Sequence, residues 1–139
     1  MEISLVRRRL TETIERAKKQ AADRRGRGDA AARDFEVFLQ KIAVPLFRQI
    51  ANALKADGYA FTVFTPSGSV RLMSDRAAED YIELTLDAAA NPPQVVGQVS
   101  RTRGRRVIDA ERPIGAPDTL TEDQLLDFLL QELEAFVDR

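Results

Sequence analysis

The apolar residues of this chain change their spacing once, at Asp57-Gly58, and that change limits what the chain can fold into. Before it, they recur every three or four residues; after it, every second residue. The first spacing is the stripe of an amphipathic helix and the second the alternation of a half-buried strand. A helical front, a block of strands and a return to helical spacing near the end predict an α+β fold in the order α-α-β-β-β-β-β-α.

In the front part, Ile3, Val6, Leu10, Ile14, Ala17 and Ala21 define a first helix with charged flanks, ending near Arg25. The stretch RRGRGD (24–29) predicts a break, since two glycines cost helix stability and Asp29 suits an N-cap. A second stripe runs Phe35, Phe38, Leu39, Ile42, Leu46, Ile50, Leu54 and stops at Gly58, a natural C-terminal glycine. Pro45 lies inside this stripe, which predicts either a split or, because the apolar phase continues across it, a kink. Val44 and Phe47 lie off the main stripe, so this helix is expected to be covered on more than one side.

YAFTVFT (59–65) and VRLMS (70–74) flank the turn residues PSGS and read as a hairpin; YIELTLD (81–87) is a third strand. After the loop AAANPP (88–93), QVVGQVSR and RRVIDAERPI form a fourth and fifth strand. With Arg103-Gly104 as a two-residue turn, Thr102 would face Arg105, Arg101 Arg106, Val99 Ile108 and Gly97 Ala110. Short turns between alternating strands imply an antiparallel meander with one buried and one wetter face. The last helix is the most clearly signed: Thr121 and Gln124 match a capping box, and Glu122 and Asp123 suit the positive end of the helix dipole. Its apolar face, Leu125 to Val137, is broader than packing on one sheet requires.

Length and composition fit one soluble domain, residues 1–139, with a basic helix and Gly-containing break over 1–28 and the helix, sheet and C-terminal helix over 29–139. No signal peptide and no apolar run of about 20 residues is visible, so the expected location is the cytoplasm, away from membranes. With no His and no Cys, the chain lacks imidazole bases, thiol nucleophiles and thiolate or imidazole metal ligands. No phosphate-loop or dinucleotide-binding motif is present. These absences argue against an enzyme, and no catalytic, cofactor-binding or metal-binding residue and no cofactor is assigned.

Charge is distributed unevenly. The net charge of −1 hides a +5 front (1–33), −3 over 34–100, +3 over 101–113 and −6 over 114–139. Four arginines surround one glycine in SRTRGRR, and Arg101, Arg103, Arg105 and Arg106 would crowd a short tip. With Arg7, Arg8, Arg24 and Arg25 of the first helix, and Arg9, Lys18, Lys19 and Arg27 beside them, they are the candidate contacts to an anionic partner. Arginine supplies 17 of the 21 basic residues while Ala is abundant, a bias that genome composition alone can produce. A solvated turn therefore accounts for the tip as well.

The carboxylates Glu79, Asp80, Glu83, Asp87, Asp109 and Glu111 lie on or near strands three and five, and the last four could share a face. Such a group could hold Mg²⁺ or act in acid–base chemistry, although the DAER of 109–112 lacks the lysine of a metal-dependent nuclease signature. They read as solvated outer-face charges, some paired with Arg across strands, before they read as a metal or acid–base site. TPSGS (65–69) reads as an ordinary turn before it reads as a phosphate nest, and Tyr59, Phe61 and Phe64 as core before pocket. The narrow stripe of the first helix and the broad one of the last suggest self-association.

The leading expectation is a non-enzymatic, homo-oligomeric interaction module that presents a basic hairpin and helix to an acidic protein surface, including that of another copy. The alternatives are a nucleic-acid binder with non-specific phosphate contacts and a carboxylate-dependent divalent-metal enzyme.

Overall fold

Helical spacing becomes helix from the third residue onward. In the computed structural model, which describes residues 1–137, α1 runs Ile3–Phe38, a π-helical turn Leu39–Ala43 follows, and α2 runs Val44–Ala56 without interruption of the helical path. The break expected at RRGRGD does not occur. Gly26 and Gly28 are helical, in a segment flanked by Arg and Ala, both good helix formers, whose contribution outweighs about 1 kcal/mol per glycine. Gly28 also lies against the 88–93 loop, where an added Cβ would stand 3.7 Å from the Ala88 carbonyl oxygen.

The accommodation of Pro45 is neither split nor simple kink. The Val44 N–H reaches back five residues to the Leu39 carbonyl, and Pro45 enters α2 in its first turn. A wider turn just before a proline offsets the missing donor and the crowding one turn back. Beyond it the helix is covered on two sides, with Val44, Leu46, Phe47 and Ala51 all buried. The C-terminus falls where Asp57-Gly58 places it, Gly58 taking φ +90°.

The strands follow as β1 (Phe61–Phe64), β2 (Val70–Ser74), β3 (Tyr81–Asp87), β4 (Gln94–Arg103) and β5 (Arg106–Gly115), an antiparallel meander in that spatial order. Registers such as Val63↔Leu72↔Ile82↔Val99↔Ala110 line up one face, which α2 and α3 (Glu122–Val137) cover. The core there gathers Phe47, Leu72, Ile82, Leu84, Leu125 and Leu129, all nearly inaccessible. Phe136 meets Phe61 edge to face, with ring centroids 6.1 Å apart. β5 is an edge strand, and Pro113, beside a bulge at Val95/Val96, removes one donor from that edge.

The capping box of α3 forms as expected: the Gln124 N–H donates to Thr121 Oγ1 at 3.2 Å, and the Thr121 N–H to Gln124 Oε1 at 3.0 Å. The β4–β5 turn differs from expectation by one position. It consists of Gly104-Arg105, with Arg103 opposite Arg106, Val99 opposite Ala110 and Gly97 opposite Arg112. Gly104 takes φ +64° as the first central residue while Arg105 stays at negative φ. That is the pattern of a type II′ turn, which puts glycine first, whereas the reading from sequence put it second.

Candidate functional site

The first helix carries the largest surface that the fold leaves bare. Phe35 and Phe38 anchor the end of α1 in the core, and Arg24, Arg25 and Arg27 border a cleft of about 600 Å³ with Ala88, Asn91 and Pro93 of the β3–β4 loop. N-terminal to this, every residue of the helix is exposed except Leu5 and Ala21. The apolar stripe is bare as well: Ile3 is 72% exposed, Val6 46%, Leu10 57% and Ile14 45%. From Ile3 to Gly28 the arm is about 38 Å long at 1.5 Å per residue.

Basic groups border that stripe. Arg7 sits one turn after Ile3 and one turn before Leu10, and Lys18 one turn after Ile14, while Glu12 and Glu15 fall toward the opposite side of the helix. The arm is therefore an aliphatic strip edged by cations. In proteins most helical stability comes from packing an amphipathic face against something rather than from propensity alone.

The hairpin arginines form a separate group. β4 starts beside the 88–93 loop and ends at Arg103, about 30 Å away at 3.3 Å per residue, so Arg24 and Arg25 lie at one end of the sheet and Arg103, Arg105 and Arg106 at the other. Arg7 and Arg8 lie about 25 Å further out along α1. The candidate basic residues do not make one surface. Arg101, Arg103 and Arg106 point to the helix-covered side of the sheet, in register with Ile108 and with each other. With Arg76, the first two line a cleft of about 890 Å³ that also contains Glu79, Asp80 and Glu134. Its charges of both signs offset one another, which makes it a poor concentrator of anions.

Four of the six candidate carboxylates, Asp80, Glu83, Asp87 and Glu111, each accept hydrogen bonds of their own. Asp80, 1% exposed, accepts the Thr102 N–H at 2.6 Å and thereby ties the β2–β3 connection to β4. Glu83 is held by Arg71 through two hydrogen bonds of 3.2 and 3.3 Å and by the Ser69 hydroxyl, and the Arg71 guanidinium stacks 4.1 Å above the Tyr81 ring. In the same row of the outer face, Gln98 donates to Glu111. Asp87 accepts from the N–H groups of Ala89 and Ala90, and Arg112 pairs with Glu132 of α3. Glu83, Asp87, Asp109 and Glu111 do share the outer face, yet among the described residues no three acidic groups converge as a metal site would require. TPSGS is a plain turn, with Gly68 at φ +75°.

Of the three aromatic candidates, Phe61 joins the core while Phe64 and Tyr59 are at the surface. Tyr59 borders a feature that the sequence does not locate, an apolar groove of about 350 Å³ between α2 and α3. Ile50, Leu54, Leu130, Leu133 and Val137 line it, with Asp57 and Glu134 at its rim and no Lys or Arg among its described lining residues. The broad face of α3 explains it: Leu125, Phe128, Leu129, Leu133 and Phe136 are buried, but Leu130 remains 54% exposed. Its only sequence signal was that excess width.

Among the described residues, no helix is long and apolar enough to cross a membrane. No family model, curated protein or solved structure matches this chain.

Proposed function

We propose that the chain is a non-enzymatic, cytoplasmic interaction module that associates with copies of itself and uses its basic N-terminal arm to hold an acidic protein surface. The observation that carries this reading is the exposure of Ile3, Val6, Leu10 and Ile14, from 45% to 72%, on a helix edged by Arg7 and Lys18. Four aliphatic side chains in line are a contact surface without a contact. Their cationic border selects for acid, and burying each such side chain would contribute roughly 1.5–3 kcal/mol toward binding before the costs of association.

Retention on immobilised poly-L-glutamate, with poly-L-lysine as control, tests the reading. The full-length protein should bind the first and elute with salt. Leu10→Asp, and separately Arg7→Ala with Arg8→Ala and Arg9→Ala, should weaken retention, and both variants should melt like the parent because these residues are exposed. Retention that ignores both changes, or no retention at low salt, would sink it.

A second reading rests on the hairpin tip, where Arg103 and Arg106 are directly opposed and, among the described residues, neither ion pair involves the tip. Opposed guanidiniums are eased by an anion between them, so the tip could contact nucleic-acid phosphates. In that case affinity for duplex DNA falls steeply with salt, and Arg103→Ala, Arg105→Ala and Arg106→Ala together flatten the slope. No mobility shift at low salt removes this alternative.

A further inference from the structure

The arm and the groove are complementary in shape, polarity and charge. On α3, Asp123, Asp127, Leu130 and Glu134 follow one another at steps of four, three and four residues, so an exposed leucine stands in a line of three exposed acids, of which Glu134 borders the groove beside Leu130 and the other two lie further up the helix. Asp57, at the end of α2, supplies acid on the other edge. On the arm, Ile3, Val6, Leu10 and Ile14 follow at steps of three, four and four, with Arg7 and Lys18 alongside. The arm's line rises through eleven residues, about 17 Å, and the α3 wall of the groove, Leu130 to Val137, is about 10 Å long, so the groove takes the greater part of the line.

We infer that the acidic groove between α2 and α3 is the seat of the N-terminal arm of a second copy of this chain, an inference that rests on the arm being a contact element as proposed above. The arm of the same molecule does not reach its own groove, because α1, the π turn and α2 are one unbroken helical path that carries the arm outward past the β3–β4 loop. Pairing of two arms with each other is disfavoured by charge: residues 1–33 carry +5, so two arms side by side set like charges within a Debye length, about 8 Å at physiological salt. Seating the arm on α3 reverses the sign. The groove's own charged residues are Asp57 and Glu134, with no Lys or Arg among its described lining, and aliphatic side chains meet Leu130, Leu133 and Val137 while Arg7 reaches those acids. This is recognition of an amphipathic helix by a groove, with anchors spaced at i, i+3 and i+7.

The absence of cysteine from the chain makes the arrangement directly readable. Leu10→Cys and Leu130→Cys, both at exposed positions, are prepared as separate full-length proteins, mixed, and oxidised mildly. The expected result is a disulfide-linked species of twice 15.5 kDa that forms in the mixture much faster than in either protein alone. Light scattering of the cysteine-free protein at tens of micromolar should give a mass above 15.5 kDa that falls with salt, and Leu130→Glu should weaken association by about tenfold or more, given that a hot-spot loss of 1.4 kcal/mol is tenfold. Cross-linking of Leu10→Cys with itself as fast as in the mixture would show paired arms and overturn the inference, as would a monomer at every salt concentration. If poly-L-glutamate still retains the protein through its arm in those cases, the contact function stands and only the identity of the partner has failed.

Discussion

A single methyl group on Gly97 should destabilise the fold, for a reason that depends on how α3 crosses the sheet. Gly97 lies in mid-β4 on the helix-covered face, between Leu84 and Arg112, and its backbone is not in the positive-φ region, so a side chain is allowed as far as φ is concerned. What excludes it is Phe128. A Cβ at position 97 would stand 2.8 and 2.9 Å from Cε2 and Cε1 of that ring, and closer still to Cζ. Ordinary carbon contacts need about 3.5–4.0 Å, so the ring must retreat by well over about 1 Å at its tip. Leu125 and Leu129, buried on the same helix, leave it little room at interior packing density. Overpacking of this kind costs about 1–3 kcal/mol, and replacing a strand glycine by alanine returns about 0.5–1 kcal/mol. Gly97→Ala should therefore lose about 1–2 kcal/mol and lower Tm by roughly 3–8 °C. The chain has no Trp, so urea unfolding is best followed by far-UV circular dichroism. The second variant is Phe128→Leu. It creates space that the new methyl partly fills, so the double variant should be more stable than the two single losses predict, by about 1 kcal/mol. A Gly97→Ala protein as stable as the parent, or additive losses in the double variant, would refute the close packing of α3 on β4.

Three further outcomes follow from local geometry. Thr121→Ala removes one half of the reciprocal cap and should cost about 1 kcal/mol, while Thr121→Ser restores most of it; equal stability of all three in urea would contradict the cap. Asp80→Ala strips the acceptor from the half-buried Thr102 N–H and should cost about 1–2 kcal/mol, with Asp80→Asn costing less because its amide oxygen still accepts; the same denaturation midpoints decide it. Gly26→Ala meets nothing within 4 Å in a helical segment and should raise helicity and slow amide exchange across the arm, by about 0.5–1 kcal/mol of local stability. Unchanged exchange in residues 15–30 would mean that the helix is broken there after all.

The parts of the fold legible in the sequence are those with a period or a reciprocal signal. The switch at Gly58, the five strands and the Thr121–Gln124 cap were readable because each involves several residues that agree. The failures came where one residue type was given a fixed meaning. The glycines at 26 and 28 suggested a stop, but a cost near 1 kcal/mol each does not end a helix that good helix formers flank. Gly104 was placed second in its turn when it stands first, and the partner of every β5 residue moved by two, which preserves the buried face and so left no trace in the hydrophobic pattern. For Pro45, the sequence posed a choice between split and kink, and the chain answered with a wider turn.

The candidate site was less legible for a related reason. A helical apolar stripe reports that a face will be covered, never by what. The stripes of α1 and α2 are chemically alike, yet Leu46 is buried and Leu10 is bare, a difference that arises because α1 passes the β3–β4 loop and leaves the sheet behind. The breadth of α3 carried the complementary message: it has more apolar face than the sheet and α2 cover, and the remainder is Leu130 in a line of acids. Each excess looks like a local imperfection when its own helix is considered alone. Taken together they are complementary, an aliphatic stripe beside basic residues and an apolar groove rimmed only by acids. Of the hairpin arginines that dominate the sequence by density, Arg101 and Arg103 share a cleft with Glu79, Asp80 and Glu134, and no apolar face accompanies them. Local concentration of charge is therefore a weaker guide to a contact surface in this chain than two unsatisfied apolar faces of opposite charge, and the mixed-cysteine oxidation is the measurement on which that conclusion stands or falls.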